Sequence, residues 1–197
     1  MMIAAQQKPH SLTPEEYFVW EEQQREKYEL IDGQVYAMGG GSKNHSRLAV
    51  RLITRLSNHL DTSSCEVGNS DLRLNIVGTQ NYTYPDVSVT CDERDKNTSQ
   101  YITYPCLIIE VLSPGTEAYD RGGKFRLYRH NPQLIDYLLV SSTSTDIDLY
   151  HKPESGKWQI INYQAGDTIE LKSINLCITV EDIYRGLTLD LESPPTE

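Results

Sequence analysis

The spacing of apolar residues along the chain predicts three helices. Residues 43–60 place leucine and isoleucine side chains three or four positions apart, which puts them on one helical face that can pack against a core. Ser42 precedes this run and can cap its first turn. Thr13 as a cap and a proline in the first turn predict a shorter helix over residues 14–24. A third helix is expected to end near Arg129, before an Asn-Pro pair.

Alternating and β-branched runs predict strands between and after these helices. Residues 27–38 contain two short strands that turn at Asp32-Gly33, a strong hairpin signal. Residues 86–91 form a strand-like run, and residues 104–112 are almost entirely apolar, as in a buried central strand. The other predicted strands lie within residues 65–77, 134–141, 146–151, 157–163, 167–171 and 174–178.

Length and cysteine content narrow the class of protein. At 197 residues the chain suits one domain whose core needs no covalent staples. We expect that domain over residues 1–191, with a disordered tail at residues 192–197. The four cysteines are far apart and three lie in strand-like contexts, so neither a disulfide framework nor a CxxC metal site is predicted. No apolar stretch reaches the roughly 18 residues of a membrane span, so we expect a cytoplasmic protein without membrane contact.

The charge of the chain limits how it can bind nucleic acid. A formal net charge of -10 argues against long-range attraction to DNA or RNA, so any such site must be local. Arg47, Arg51 and Arg55 repeat every four residues and form a basic stripe beside the apolar face of the predicted helix. Two interpretations stay open for this stripe, a solvated helix face or contact with phosphate groups.

Two carboxylates occupy positions that hydrophobic patterning does not explain. Glu110 lies inside the apolar run 104–112, and Asp86 opens the strand-like run before it. Burying an unpaired carboxylate costs several kcal/mol or more, so Glu110 must be protonated, paired with a cation or bound to a metal. Two carboxylates on adjacent strands can hold one Mg²⁺ or Mn²⁺, which prefer oxygen ligands. Such a metal activates water and stabilises charge on a phosphodiester during cleavage.

A lysine follows these carboxylates at helical spacing. Asp120, Lys124 and Tyr128 lie four residues apart, on one stripe of the helix that leaves the Glu110 strand. Lys124 can neutralise charge that develops on a scissile phosphate. The alternative is a surface ion pair between Asp120 and Lys124, which is worth only about 0.3–0.5 kcal/mol.

Two further residues have both a functional and an ordinary interpretation. Glu29 lies in the first predicted hairpin, where alternation favours an exposed polar position. His45 lies in the first turn of the helix over residues 43–60, where a histidine is usually a surface or capping residue.

Together and in this order, these residues resemble the PD-(D/E)xK nuclease superfamily and, within it, the restriction endonuclease family of the Uma-two type. The resemblance covers roughly residues 15–140. It is carried by the segments Tyr28-Glu29-Leu30-Ile31-Asp32-Gly33, Pro85-Asp86, Ile109-Glu110-Val111-Leu112-Ser113-Pro114 and Asp136-Tyr137-Leu138-Leu139-Val140, by His45, and by the Asp120, Lys124 and Tyr128 stripe. It implies an α/β (α+β) restriction-endonuclease-like core, with a mixed central β-sheet flanked by helices. The β-hairpin region near the C-terminus would be an addition to that core.

The resemblance also implies a Mg²⁺- or Mn²⁺-dependent endonuclease that hydrolyses DNA. Asp86 and Glu110 match the metal ligands, with the carbonyl of Val111 as a third. The common motif has a lysine two residues after the glutamate, where this chain has Leu112. It resembles the variant in which the lysine has migrated to the following helix, so Lys124 takes that role.

Glu29 and His45 match further positions that line the site in such proteins. A homodimer is expected, because cutting both strands of a duplex needs two active sites. One alternative is a catalytically inactive member that keeps the fold as a binding or assembly module. Another treats Asp86 and Glu110 as the acid and base of a glycosidase, although such sites are usually lined by aromatic residues from loops.

Overall fold

A computed structural model describes residues 11–189 of the chain. The helices are α1 (Pro14–Glu21), α2 (Lys43–Leu60), α3 (Glu117–Tyr119), α4 (Phe125–Tyr128) and α5 (Val180–Tyr184), with a π-helical segment, Asp120–Lys124, between α3 and α4. The strands are β1 (Tyr28–Ile31), β2 (Gln34–Ala37), β3 (Glu66–Asn69), β4 (Arg73–Asn75), β5 (Tyr82–Thr83), β6 (Val87–Thr90), β7 (Tyr101–Ile102), β8 (Pro105–Leu112), β9 (Asp136–Ser141), β10 (Ile147–His151), β11 (Gln159–Tyr163), β12 (Thr168–Leu171) and β13 (Leu176–Thr179). The disordered tail predicted at residues 192–197 lies outside the described residues.

The strands form three sheets. The largest has the order β11-β10-β9-β8-β6-β3, and in it β8 and β9 run parallel while the other pairs are antiparallel. The second sheet has the order β2-β1-β5-β4-β7, and the third is the hairpin β12-β13. The predicted mixed sheets flanked by helices are therefore confirmed.

The core lies between the largest sheet and α2, which packs on it through one stripe of leucines. The buried leucines of α2 are Leu48, Leu52, Leu56 and Leu60. They pack against the apolar side chains of β6 and β8. Ser42 accepts a hydrogen bond from the His45 backbone N–H and so caps α2 as predicted. This packing fixes the first turn of α2 beside the ends of the central strands.

The first helix is shorter than predicted. It begins at Pro14 behind its Thr13 cap, as expected, but ends at Glu21, three residues before the predicted end at residue 24. Glu21 turns inward there and binds Arg73 and the hydroxyl of Tyr84. No helix within residues 11–189 has the length and apolar character needed to cross a bilayer.

The expectation that no cysteines pair was wrong, because Cys65 and Cys91 form a disulfide. The two cysteines are 26 residues apart in sequence, so their contact could not be predicted from local patterns. Strands β3 and β6 pair antiparallel with Glu66 opposite Thr90, which places the residues just beyond them opposite each other.

Candidate active site

Strands β6 and β8 bring the two predicted metal ligands together. The antiparallel register sets Val87 opposite Ile109, so Asp86 lies beside Glu110 at one end of the pair. The Asp86 backbone N–H donates to Glu110 Oε2 at 3.3 Å, and the Val111 backbone N–H donates to Asp86 Oδ2 at 2.8 Å. The structure therefore brings Asp86, Glu110 and the backbone of Val111 together, and metal binding by these three groups stays a prediction.

Lys124 reaches Glu110 from the helix that follows β8. Its Nζ lies 3.0 Å from Glu110 Oε1, 3.3 Å from Glu29 Oε1 and 3.6 Å from Asp120 Oδ1. Lys124 and Asp120 are only 8% and 3% exposed. The surface ion pair considered for these two residues was therefore wrong. The π-helical turn between α3 and α4 carries both side chains, a geometry that is frequent at functional sites.

Glu29 and His45 also contact this cluster. Glu29 is buried, accepts a hydrogen bond from the Tyr84 backbone N–H and pairs with Lys124, so the exposed hairpin position was the wrong interpretation. His45 Nε2 lies 3.2 Å from Asp86 Oδ2. Because α2 begins at this edge of the sheet, its first turn faces the carboxylates rather than solvent alone.

Two tyrosine hydroxyls bind to groups around Lys124. The Tyr128 hydroxyl donates to Glu110 Oε1 at 2.9 Å and lies 3.3 Å from Thr83 Oγ1. The Tyr137 hydroxyl donates to the backbone carbonyl of Asp120 at 2.9 Å, which anchors the π-helical segment. Helical spacing predicted Tyr128, whereas the contact of Tyr137, which lies in a segment that carries the resemblance, and that of Thr83 were not predicted. Both lie in apolar or short strands that give no periodic signal.

Burial and like charge set the electrostatics of the cluster. Burial raises the pKa of Glu110 to about 8, with Asp86, Asp120 and Glu29 adding to the rise and Lys124 opposing it. Burial also raises the pKa of Asp120, against the charge of Lys124. The carboxyl groups of Glu29, Asp86, Glu110 and Asp120 therefore lie close enough to disfavour the ionisation of Glu110 and Asp120, an effect that Lys124 opposes.

In the two basic side chains, Lys124 and His45, the effect of burial on the pKa is opposed by neighbouring carboxylates. Burial alone would lower the pKa of Lys124, but the charges of Glu110 and Glu29 raise it well above its ordinary value. Burial would likewise lower the pKa of His45, but its hydrogen bond to Asp86 and the charges of Asp86 and Asp120 raise it. Lys124 is therefore held as an ammonium.

The donor set fits a hard divalent cation that keeps part of its water shell. Within residues 11–189, no three His, Cys, Asp or Glu side chains converge to form a metal cage by themselves. Mg²⁺ does not need one, because it is usually held by one or two carboxylates together with waters and substrate phosphates. Asp86 and Glu110 are the carboxylates predicted to make such a partial site, and they lie next to each other.

The cluster lines an open pocket of about 620 Å³. Its walls include Gly39 to Gly41, which precede α2, and Tyr119 from α3. A pocket of this size falls in the range that binds small molecules or a few groups of a polymer. The carboxylates are therefore reachable from outside despite their burial.

The arginine stripe on α2 has partners within the chain. Arg47 donates to the Gly186 carbonyl at 2.9 Å, and Arg51 donates to the Ile183 carbonyl at 2.8 Å. Arg55 lies 3.5 Å from Asp182 and is about half exposed. These contacts hold α5 and the residues after it against α2. Phosphate contact by the stripe stays a prediction.

With the fold and site described, comparison with known proteins identifies the family. The model of the Uma2 family, described as "Putative restriction endonuclease", matches residues 14–181. The chain belongs to this family, and the resemblance inferred from the sequence is confirmed. This membership gives no support to the glycosidase alternative.

Two individual proteins and one solved structure are similar to this chain over most of their length. "Uncharacterized protein slr1290" of Synechocystis sp. (strain ATCC 27184 / PCC 6803 / Kazusa) is 70% identical over 176 residues, covering 89% of this chain and 93% of the relative. "Uncharacterized protein sll1609" of the same organism is 35% identical over 174 residues, covering 87% and 97%. A crystal structure described as "a putative nuclease belonging to DUF820 from Anabaena variabilis ATCC 29413" matches with a TM-score of 0.72 and 16% identity, covering 88% of this chain and 97% of that one. The last match confirms the predicted fold.

Proposed function

We propose that this protein is a Mg²⁺- or Mn²⁺-dependent endonuclease that hydrolyses phosphodiester bonds in DNA. It acts in the cytoplasm. It acts as a homodimer, because cutting both strands of a duplex requires one active site for each strand. Family membership supports a nuclease that acts on nucleic acid. We further propose a metal, a preference for DNA, a dimer and a role for each site residue.

The observation that carries this proposal is the position of Lys124. The strand position that holds lysine in the common motif is Leu112 here, yet a lysine Nζ lies 3.0 Å from Glu110 Oε1. The helix after β8 therefore compensates for the missing strand lysine. A lysine buried among three carboxylates is costly to maintain for stability alone, which supports a functional reason for its presence.

Each residue has a distinct role in this proposal. Asp86 and Glu110, with the Val111 carbonyl, would hold the cation, and the chemistry it would supply is stabilisation of charge on the phosphate and activation of water. Lys124 keeps its positive charge and neutralises charge that develops on the scissile phosphate. His45 orients the Asp86 carboxylate through their hydrogen bond. Glu29 and Asp120 hold the Lys124 ammonium in place, and Tyr128 orients Glu110.

A second candidate function is a binding or assembly module that uses the same fold without catalysis. It is favoured by the hydrogen bonds of the carboxylates, since Asp86 and Glu110 both accept from donors within the protein. Carboxylates that are satisfied in this way do not require a metal for the fold to be stable.

A cleavage assay separates these two functions. The purified protein is incubated with supercoiled, linear and single-stranded DNA in Mg²⁺, in Mn²⁺ and in chelator. The proposal expects cleavage that needs the metal and is lost in Asp86→Asn, while Asp71→Asn, at an exposed aspartate that pairs with Lys27, behaves as wild type. Binding of DNA without cleavage under every metal condition would favour the module.

A further inference from the structure

Three of the four cysteines meet at the end of the largest sheet that lies away from the candidate active site. Cys65 and Cys91 are joined by a disulfide beyond the paired ends of β3 and β6. Cys106, near the start of β8, is a free thiol whose Sγ lies 3.8 Å from Cys91 Sγ. Cys177 is also free but exposed and has no part in this cluster.

We infer that Cys65, Cys91 and Cys106 form a thiol–disulfide relay that moves the disulfide between two pairs. The Cys106 thiolate attacks Cys91 Sγ, the Cys91–Cys106 bond forms as the Cys65–Cys91 bond breaks, and Cys65 leaves as a thiolate. Cys106 releases its proton to solvent and Cys65 takes one up. The exchange is balanced without an external oxidant or reductant.

The strand geometry allows the second pairing. The two sulfurs must approach from 3.8 Å to about 2.0 Å. Their strands, β6 and β8, are neighbours whose register shifts between Val89 and Thr90, and such an irregularity gives the backbone room to adjust. The two disulfides span sequence separations of 26 and 15 residues. Chain entropy changes only slowly with loop length, so both pairings are accessible.

Burial keeps the relay slow at rest. It raises the pKa of the Cys106 thiol to about 11, so the attacking thiolate is a minor species at neutral pH. The Cys65–Cys91 disulfide seen in the structure therefore exchanges only slowly. In a reducing compartment a disulfide of this kind is usually transient or redox-sensing, and dithiol reductants are the chemical class that would act on it.

The two states connect different elements. The Cys65–Cys91 bond ties the chain beyond α2 to the end of β6, whereas a Cys91–Cys106 bond ties β6 to β8. The opposite ends of α2 and β6 carry His45 and Asp86, which contact each other. Exchange would therefore release a covalent link between the two elements that hold these residues. The inference concerns the cysteines alone and does not rest on nuclease activity.

Alkylation without reductant tests the relay. Oxidised full-length protein is treated with a low concentration of iodoacetamide in mildly alkaline buffer, and the labelled and linked cysteines are mapped by mass spectrometry. Cys65 can be labelled only after its disulfide has opened. We expect labelling of Cys65 at least about tenfold faster in the wild type than in Cys106→Ser, because the mutant lacks the attacking thiol. In Cys177→Ser, Cys65 should be labelled at the wild-type rate.

A second variant tests the alternative bond directly. Cys65→Ser, reduced and then reoxidised in a glutathione buffer, should form the Cys91–Cys106 disulfide. Equal labelling of Cys65 in the wild type and in Cys106→Ser would overturn the relay, as would loss of labelling in Cys177→Ser. Reoxidised Cys65→Ser that carries only glutathione adducts would overturn it as well. If Cys106→Ser fails to fold, Cys106→Ala replaces it, and the Cys65→Ser arm does not depend on either.

Discussion

At the scale of single residues, the arrangement around Lys124 joins stability to function. Its ammonium pairs with Glu110, Glu29 and Asp120, and these carboxylates are themselves buried. Removing one partner from a buried ionic cluster leaves uncompensated charge, which costs far more than losing a surface pair. Lys124 is therefore expected to matter for the fold without metal as well as for catalysis.

Lys124→Met tests both roles. The substitution keeps much of the aliphatic stem and removes the charge. Without metal we expect a loss of about 3–5 kcal/mol in the free energy of unfolding, measured by urea denaturation in chelator, because three buried carboxylates lose their cation. We also expect cleavage to slow by roughly 10²-fold or more in single-turnover assays, the scale of losing one preorganised electrostatic group.

Lys172→Met is the matched control for this change. Lys172 is more than half exposed and lies 3.9 Å from Glu170, so its replacement should change stability by no more than about 0.5 kcal/mol and leave cleavage unchanged. Cleavage by Lys124→Met at the wild-type rate would remove Lys124 from the chemistry. The absence of lysine at position 112 would then indicate altered or lost catalysis.

At the scale of elements, the π-helical segment decides where the helix after β8 places its side chains. Helical spacing predicted that Asp120, Lys124 and Tyr128 share one stripe, and in the structure Lys124 and Tyr128 contact Glu110 while Asp120 contacts Lys124. The local widening of the helix could not be predicted, because it is stabilised by contacts from other elements. One of these is the Tyr137 hydroxyl, which donates to the Asp120 carbonyl.

Two adjacent glycines in this segment provide a test with a built-in control. A Cβ at Gly123 would lie 2.4 Å from the ring of Tyr119, whereas one at Gly122 would meet nothing within 4 Å. Gly122→Ala should therefore stabilise the protein by about 0.4–1 kcal/mol, measured by thermal unfolding, because alanine restricts the unfolded chain. Gly123→Ala should destabilise it by about 1–3 kcal/mol as the ring or the helix shifts.

The cleavage rates of the two glycine variants should differ in the same way as their stabilities. Tyr119 lines the pocket and Lys124 follows Gly123 directly, so Gly123→Ala should lower the cleavage rate while Gly122→Ala leaves it unchanged. Equal stability and activity in the two variants would show that the close fit of Tyr119 on Gly123 has no consequence for the site.

The contact between α2 and α5 gives the arginine stripe a structural role. The last carbonyls of a helix have no partners within it, and Arg51 satisfies that of Ile183. Arg51→Met should lower the free energy of unfolding by about 1.5–3 kcal/mol, the range for hydrogen bonds made by charged groups. Arg55→Met should cost no more than about 1 kcal/mol, since its pair with Asp182 is largely exposed.

Binding to DNA at several salt concentrations would distinguish this role from phosphate contact. A purely structural role predicts the same dependence of affinity on salt in Arg51→Met and wild type. A salt slope reduced by about one unit in this variant would instead support the predicted phosphate contact by the stripe.

At the scale of the whole molecule, local patterns predicted the elements and tertiary contacts decided the rest. The α2 helix begins and ends at the predicted residues, because its leucine spacing and its Ser42 cap are both local. The closeness of Asp86 and Glu110 could also be predicted, because Glu110 is a carboxylate inside an apolar strand. The burial of Glu29 and the Cys65–Cys91 disulfide could not be predicted, because each depends on contacts between residues distant in sequence.

The last prediction links the site to the stability of the whole fold. The chain carries a net charge of -10, and four carboxylates meet around Lys124 and His45. A cation that binds only the folded state stabilises it by about 2.7 kcal/mol when its concentration is 100 times the dissociation constant. For a chain of this length that corresponds to a rise of roughly 5–10 °C in Tm. We therefore expect saturating Mn²⁺ to raise the Tm of the wild type by this amount.

Asp86→Asn should abolish the rise, because it removes one carboxylate from the proposed cation site, whereas the exposed Asp71→Asn should keep it. Comparing each variant with and without Mn²⁺ cancels any change in its metal-free stability. Isothermal titration should find Mn²⁺ binding in the wild type and Asp71→Asn and little in Asp86→Asn. Equal Mn²⁺ binding and equal Tm shifts in all three proteins would place the cation elsewhere. Asp86 and Glu110 would then be a buried hydrogen-bonded pair that stabilises the junction of β6 and β8.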